Sequence, residues 1–166
     1  PSAPYYPGGV KVIVADKFSR AASGGVGYAK AAGNYAGQFY PTNLAKEKGF
    51  DQIIWTDASE HKFLEEAGTM NLFFRINDTL ITTPTSDTIL DGITRKTVID
   101  LAKSKNIKIN ERKISPKELS NFKGCFITGT AAEITPVGNI LDNNFEVCDL
   151  IKDLSTSYET LVGKNN

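Results

Sequence analysis

The stretch NLFFRINDTLITT, residues 71–83, decides the fold of this chain. It contains two runs of alternating residues that are rich in β-branched and aromatic side chains, and such runs favour β-strands. Asn77 and Asp78 stand between the runs, and both residue types suit a tight turn. The stretch therefore predicts a β-hairpin.

Further strands are predicted on both sides of the hairpin. VKVIVA predicts a strand over 11–15, and DQIIWTD, residues 51–57, predicts a second one. After the hairpin, IKINERKI at 107–114 alternates as a strand. CFITGTAAEITPV at 125–137 predicts a buried strand that breaks into a turn at Gly129.

Helices are predicted between these strands. One runs over about 34–48, is bent at Pro41 and ends at Gly49. A second opens near Ile93 or Thr94 in LDGITRKTVIDLAKSKN, where later apolar residues have helical spacing.

Two more helix signals follow towards the end of the chain. Ser115 as N-cap, Pro116 at the first position and Glu118 at the third form a capping box. A closing helix is predicted from the apolar face formed by Val147, Leu150, Ile151, Leu154, Tyr158 and Leu161. Because strands and helices alternate, we expect a mixed α/β domain with helices outside a sheet or partial barrel.

Length and charge narrow the classes of function. The 166 residues fit one domain, and 19 basic residues balance 19 acidic ones without a basic stripe. We therefore expect neither a nucleic-acid partner nor, since apolar runs are short, a membrane partner. Cys125 and Cys148 lack the spacing of metal ligands. His61 is the only histidine, so a Ser-His-Asp triad or a histidine metal site would have to be built around it, and we expect it at the surface.

Lys30 is the first chemically notable residue. It lies in GVGYAKAAGNYA, among glycines and alanines, with Asn34 and Tyr35 shortly after it. A lysine in such a place most often occupies a solvated helix face. Small neighbours nevertheless let a bulky group approach the backbone.

Three other segments also carry groups that could bind a ligand or take part in catalysis. EEAGTMNLF carries Glu65 and Glu66, one of which must point inward if the segment alternates. In LDGITR, Gly92 precedes a helix start, where free N–H groups and the helix dipole favour a phosphate. TGTAAEITPV offers the hydroxyls of Thr128 and Thr130 beside unhindered amides.

Together the four segments match one cofactor, pyridoxal 5'-phosphate. That cofactor needs a lysine for a Schiff base, an acid or base partner for its ring nitrogen, a donor for its phenolate oxygen and N–H groups for its phosphate. An amine, a carboxylate, a phenol and a helix start are all present. We expect no metal in the site.

In addition, the chain resembles the C-terminal, larger half of the branched-chain amino acid aminotransferases, which are class IV pyridoxal-phosphate enzymes. Four blocks carry the resemblance in order over about 10–137: AKAAGNYA, QIIWTDASEHKFLEEAGTMNLF, TSDTILDGITR and FITGTAAEITPV. The resemblance implies the D-amino acid aminotransferase-like fold, a pseudo-barrel sheet with flanking helices. It also implies transfer of the amino group of leucine, isoleucine or valine to 2-oxoglutarate.

The resemblance assigns the central roles by position. Lys30 matches the lysine that binds the cofactor covalently and moves the substrate proton, and Tyr35 matches the tyrosine that hydrogen-bonds the phenolic oxygen. Glu66 matches the partner of the pyridine nitrogen, whereas Glu65 is expected to be solvated. Arg20 receives no role.

The remaining roles fall on turns and on a helix start. Leu90 matches the residue packed against the cofactor ring. The amides of Ile93 and Thr94 and the hydroxyl of Thr130 match the phosphate contacts. The substrate-facing positions are Thr69, Ala131 and Ala132.

The same resemblance sets expectations for the whole protein. Residues 1–9 are interpreted as a residual interdomain linker and 10–166 as the cofactor-binding domain, with a small N-terminal domain absent from this chain. By itself the chain is expected to turn over slowly, and the full-length protein is expected to be a cytoplasmic homodimer. D-amino acid aminotransferase, aminodeoxychorismate lyase and a non-catalytic dimerisation or binding remnant are the alternatives.

Overall fold

The computed structural model describes residues 9–163, so the predicted linker falls outside the described residues except for Gly9. The strands are β1 Val10–Val14, β2 Gln52–Thr56, β3 Leu64–Ala67, β4 Asn71–Ile76, β5 Thr79–Thr82, β6 Lys108–Glu111, β7 Gly124–Gly129, β8 Glu133–Ile140 and β9 Asn143–Asn144. The helices are α1 Gly33–Ala36, α2 Phe39–Glu47, α3 Ile93–Ser104 and α4 Asp149–Leu161, with a 3-10 helix over Pro116–Asn121.

The strands form one curled sheet. Their order is β3-β2-β1-β8-β7-β4-β5-β6, with β9 beside β8. Strand β1 is parallel to β2 and β8, β5 is parallel to β6, and the other pairs are antiparallel. The two edges meet, because the Leu64 N–H in β3 donates to the carbonyl of Ile114, just after β6, at 2.8 Å. The expected mixed α/β fold with a pseudo-barrel sheet and flanking helices is thus confirmed.

The predicted hairpin is strands β4 and β5. Ile76 pairs with Thr79 across the two-residue turn, and Asn77 has a left-handed φ of 49°. The alternation separates two apolar faces, since Phe74 packs inside the curled sheet and Phe73 packs on the helix side. There the Phe73 ring stacks on Phe126 with centroids 4.9 Å apart. Helices therefore cover the hairpin's outer face.

Three apolar clusters hold the fold together. The largest fills the inside of the sheet and includes Leu64, Leu72 and Ile127. The second joins the outer face to α3 and α4, and the third surrounds Trp55 near α2. At roughly 25 cal/mol per Å² of apolar surface, this burial is the main favourable term. No helix within residues 9–163 is long and apolar enough to cross a bilayer.

The predicted helix over 34–48 is two helices instead of one bent helix. The break falls between α1 and α2, around Gly37, and Pro41 lies in the first turn of α2. A proline is tolerated there because a first-turn N–H has no partner within the helix. Gly49, with φ of 84°, does follow the end of α2 as predicted.

The other helices begin where the sequence predicts, except for the closing helix, which is shorter than predicted. Ser115 and Glu118 form the predicted capping box, although the segment is a 3-10 helix. Helix α4 begins only at Asp149, so Val147 precedes it and is exposed, and Leu161 in its last turn is 63% exposed. The buried face of α4 therefore consists of Ile151, Leu154 and Tyr158.

Candidate active site

Helix α3 begins at one rim of the sheet. Gly92 is its N-cap, with an extended backbone, and the next residues are Ile93 and Thr94. The first N–H groups of a helix have no intrahelical partner and lie at the positive end of its dipole. The Thr94 hydroxyl lies 3.5 Å from the hydroxyl of Tyr158 in α4, which ties the helix start to the second cluster.

Two tight turns lie beside this helix start. The turn from β3 to β4 is closed by Ala67 and Met70 and contains Gly68, whose φ is 56°. The turn from β7 to β8 covers 130–132. Because Asn71 at the start of β4 pairs with Thr128 near the end of β7, the two turns are neighbours.

A cavity of about 700 Å³ lies between the turns and α3. Most of the sequence-predicted site residues line it: Lys30, Thr69, Leu90, Ile93, Thr94, Thr130, Ala131 and Ala132. Further lining residues are Gln52, Met70, Asn71, Asp91, Gly92, Thr128 and Gly129. The fold thus brings together segments that are as much as 102 residues apart in sequence, from Lys30 to Ala132.

Lys30 enters the cavity from the loop between β1 and α1. Its Nζ lies 5.1 Å from the centroid of the Tyr35 ring, close enough for a cation–π contact. Tyr35 is half-buried and does not itself line the cavity. Asn34 holds this loop in shape, because its side-chain amide donates to the carbonyl oxygens of Val26 and Ala29, both at 2.8 Å.

Glu66 lies directly behind the cavity wall. Its Oε1 accepts hydrogen bonds from the Leu90 N–H and from Asn71 Nδ2, both at 3.1 Å. Its Oε2 lies 2.7 Å from Nε of Arg20, and the Glu66 and Arg20 side chains are only 3% and 2% exposed. Leu90 and Asn71 line the cavity and Glu66 does not, so the carboxylate is one layer deep.

The charge state of Glu66 is balanced between burial and its partners. Burial raises the pKa of Glu66 from 4.5 to about 7. Arg20, the Leu90 N–H and the more distant Lys30 pull this pKa down, whereas the neighbouring Glu65 raises it. Lys30 is therefore near enough to Glu66 for their charges to interact.

Glu65 is not solvated, contrary to expectation. It is 7% exposed, and its Oε1 accepts a hydrogen bond from the Thr88 hydroxyl at 2.6 Å. It points to the face of β3 opposite Glu66, towards a second cavity of about 610 Å³ that Asp57 and Asp87 also line. Burial raises the pKa of Glu65. Both faces of β3 are covered, so alternation in a strand does not expose either glutamate.

Two features of the first cavity fit pyridoxal phosphate. The Thr128 hydroxyl is buried in the wall and has no hydrogen-bond partner among residues 9–163, and a buried unpaired hydroxyl is costly unless a ligand satisfies it. The start of α3 lines the same cavity with Gly92, Ile93 and Thr94, and helix N-termini favour anions. The helix start, Thr128 and Thr130 thus form a cradle of donors for an anion, beside an amine.

The sequence alone did not identify some residues of the site. Arg20 received no role, and Asn71 received none either, since single polar residues carry no periodic signal. Thr128 was noticed as a hydroxyl beside the glycine turn, but only Thr130 was assigned a phosphate contact. A distant ion pair such as Arg20 with Glu66 becomes visible only when the loop after β1 is folded against β3.

His61 and the cysteines are outside this cavity. His61 is half-buried, with Nδ1 2.6 Å from the Thr56 hydroxyl, so it is less exposed than expected. Cys125 is buried, Cys148 is partly buried, and both are free thiols.

Comparison with known proteins gives a consistent result. A family model described as "Amino-transferase class IV" matches residues 1–140. Branched-chain-amino-acid aminotransferase 2 of Bacillus subtilis is 41% identical over 179 residues, which cover 98% of this chain and 48% of that protein. A probable branched-chain-amino-acid aminotransferase of Staphylococcus aureus is 41% identical over 183 residues, which cover 100% of this chain and 50% of that protein.

Solved structures show the same likeness. A branched-chain aminotransferase from Thermoproteus uzoniensis with norvaline superposes with a TM-score of 0.86 at 31% identity, covering 95% of this chain and 53% of that one. The branched-chain amino acid aminotransferase from Thermobaculum terrenum, in its PLP-bound holo-form, superposes with a TM-score of 0.86 at 25% identity. The match covers 94% of this chain and 52% of that one. The chain spans about half the length of the relatives that it matches.

Proposed function

The chain belongs to the class IV aminotransferases, and from that premise we propose that it provides the cofactor-binding domain of a branched-chain amino acid aminotransferase. The proposed reaction moves the amino group of leucine, isoleucine or valine to 2-oxoglutarate. The observation that carries this proposal is the convergence of Lys30 and the helix start of α3 on one cavity. The names of the relatives favour the branched-chain substrates over the other class IV reactions.

Pyridoxal phosphate is the proposed cofactor. When bound, it supplies an aldehyde that condenses with amines and a ring that accepts electrons from the substrate carbon. Lys30 Nζ would hold it covalently, and the same atom, once released by the incoming amino acid, would take the proton from the substrate Cα. Lys30 lines the cavity, as both tasks require.

The phosphate would lie at the start of α3. We assign its contacts to the backbone amides of Ile93 and Thr94 and to the hydroxyl of Thr130, all of which line the cavity. Helix N-termini bind phosphates because unpaired N–H groups and the dipole act together. Leu90, in the adjoining wall, would pack against the ring.

Glu66 and Tyr35 would fix the polar edge of the ring. Glu66 would accept a hydrogen bond from the protonated ring nitrogen, since a carboxylate has about four lone-pair sites and three donors already use only three of them. The Tyr35 hydroxyl would donate to the phenolic oxygen from its place beside Lys30. An ionised Glu66 favours a protonated ring, which is the better electron acceptor.

The substrate would lie at the β7–β8 turn. The amides of Ala131 and Ala132 would bind its carboxylate, and Thr69 faces it from the β3–β4 turn. Residues 10–166 would form the cofactor-binding domain, and the whole protein would work as a homodimer in the cytoplasm. These larger features rest on the family resemblance.

A single-turnover experiment tests the proposed function. The chain is loaded with pyridoxal phosphate and mixed with L-leucine, and the visible absorption band is followed while the 2-oxo acid is quantified. We expect the band to decay with release of one equivalent of 4-methyl-2-oxopentanoate. Faster decay with D-alanine would favour the D-amino acid alternative, and no decay with any amino acid would favour a non-catalytic module.

A further inference from the structure

Arg20 is a buried arginine without a role in the proposed reaction. It lies in the loop between β1 and α1, ten residues before Lys30, and its side chain is 2% exposed. Its Nε lies 2.7 Å from Glu66 Oε2. Its terminal nitrogen donates to the carbonyl of Gly27 at 3.0 Å and to the carbonyl of Thr88.

These contacts join three separate segments. Gly27 belongs to the loop that leads to Lys30, Thr88 belongs to the segment that leads to α3, and Glu66 belongs to β3. The junction is tight, because a Cβ atom on Gly27 would overlap with the carbonyl oxygen of Asp87. The Tyr28 N–H donates to that same carbonyl at 3.1 Å. Arg20 therefore lies where the Lys30 loop is attached to the rest of the site.

The Glu66 carboxylate has donors on both oxygens. Oε1 accepts hydrogen bonds from the Asn71 side chain and the Leu90 N–H, whereas Oε2 forms the ion pair with Arg20. Among residues 9–163, Arg20 is the only cationic side chain within 4 Å of this carboxylate. Breaking a buried ion pair from one side leaves an uncompensated charge and is strongly unfavourable. The position and charge of Glu66 therefore depend on Arg20.

We propose that Arg20 is a positioning residue that fixes the Glu66 carboxylate behind the cofactor cavity and fastens the Lys30-bearing loop to strand β3. The inference rests on the proposed function for its catalytic meaning. Through Arg20, the amine and the carboxylate that would hold opposite parts of the cofactor belong to one connected unit. Arg20 itself does not line the cavity.

The electrostatics of the site agree with this role. The groups that face Glu66 are Arg20 and Lys30 from the loop, Asn71 from β4, the Leu90 N–H from the segment before α3 and its neighbour Glu65. Burial raises the pKa of Glu66 to about 7, and Arg20 makes the largest opposing contribution. With Arg20 in place the carboxyl is partly ionised at neutral pH, whereas without Arg20 it would be almost fully protonated and would no longer favour a protonated ring.

The test measures Glu66 in the cofactor-free chain, so it does not require turnover. Carboxyl-carbon NMR follows the titration of Glu66 in the parent chain, in Arg20→Met and in Arg95→Met. Arg95 is the matched control, since its side chain is 3% exposed and pairs with Glu111 away from Glu66. We expect Arg20→Met to raise the midpoint of Glu66 by about one unit or more, and Arg95→Met to leave it unchanged.

A second measurement covers the loaded protein. The pH dependence of its visible absorption band should shift in Arg20→Met and be largely restored in Arg20→Lys, which retains the charge. Equal Glu66 midpoints in Arg20→Met and the parent would overturn the proposal. A failure to find the cofactor on Lys30 would instead count against the proposed function, so the two failures are distinguishable.

A folding control keeps the test decisive. If Arg20→Met does not fold, the proposal predicts that adding Glu66→Gln restores folding, because the second change removes the cost of burying or protonating this carboxyl without its cationic partner. Failure of that rescue would mean that Arg20 acts mainly through the carbonyl oxygens of Gly27 and Thr88, and would contradict the proposed link to Glu66.

Discussion

The side-chain oxygen of Asn71 occupies the place that a Cβ atom on Gly92 would take. The amide nitrogen of the same side chain donates to Glu66 Oε1 at 3.1 Å and to the Leu90 carbonyl at 2.8 Å. A single asparagine thus connects the buried carboxylate with the start of α3. The bare backbone at Gly92 makes this connection sterically feasible.

Gly92→Ala should disrupt both ends of this connection. The added methyl group displaces Asn71, so its hydrogen bonds to Glu66 and Leu90 are lost, at a cost of about 1–3 kcal/mol in the free energy of unfolding. Pyridoxal-phosphate affinity should fall about tenfold or more. Chemical denaturation and fluorescence titration measure the two effects. Gly37→Ala is the control, because no atom of the residues that the structure describes lies within 4 Å of its added Cβ. Equal behaviour of the two variants would contradict the role of Asn71.

Thr128→Val should separate cofactor binding from stability. The Thr128 hydroxyl has no hydrogen-bond partner in the described part of the chain, so replacing it with a methyl group should leave the cofactor-free chain as stable or more stable. If this hydroxyl binds the phosphate, the affinity for pyridoxal phosphate should fall by about 1.5–3 kcal/mol, the usual worth of a hydrogen bond to a charged group. Thr160→Val, at the exposed end of α4, is the control. Unchanged cofactor affinity in Thr128→Val would remove Thr128 from the cradle.

The stability of the cofactor-free chain should depend on pH through Glu66. Its pKa is about 7 in the folded state and 4.5 in the reference state, so the folded state binds the proton more tightly. The resulting stabilisation is present below pH 4.5 and is lost as the pH rises through 7. At 1.36 kcal/mol per pKa unit, the loss is about 3 kcal/mol.

Glu66→Gln should flatten this part of the pH profile. Urea unfolding at about pH 5 and about pH 8 measures the difference for each variant. Glu118→Gln is the control that should leave the difference between these two pH values unchanged, because Arg112 holds the pKa of Glu118 below 4.5 and its contribution is lost only as the pH falls below that value. An identical profile for Glu66→Gln and the parent would refute the assignment.

By itself the chain should bind pyridoxal phosphate but turn over slowly. Ile93 lines the cavity and is 78% exposed, and Val26 and Tyr28, just before Lys30, are also exposed. Water therefore reaches the site, which weakens its electrostatic interactions. Steady-state assays with leucine and 2-oxoglutarate check this, with the Bacillus subtilis relative as reference. Equal turnover numbers would show that the exposed rim does not limit the reaction.

Local patterns in the sequence were sufficient for most of the fold. The Asn77–Asp78 turn, the α3 start and the Ser115 capping box depend on neighbouring residues, and all three were predicted correctly. Pro41 misled the prediction because its effect depends on its position within the helix. In a first turn it is harmless, and the break occurs at Gly37 instead.

The site was predicted only in part, for a physical reason. Lys30 and the α3 start could be recognised as motifs, whereas their shared cavity depends on how a curled sheet places two turns together. The burial of Glu65 was missed because the sequence does not show that both faces of β3 are covered. Arg20 and Asn71 act on groups distant in sequence, so no spacing rule could reveal their contacts.

The central claim is that Lys30 is the amine that holds pyridoxal phosphate in this cavity. The most direct measurement is borohydride reduction of the loaded chain, followed by peptide mapping by mass spectrometry, with Lys30→Ala as control. We predict one stoichiometric phosphopyridoxyl group on Lys30 and loss of the visible absorption band in Lys30→Ala. Stoichiometric modification of another lysine, or an unchanged band in Lys30→Ala, would contradict the account.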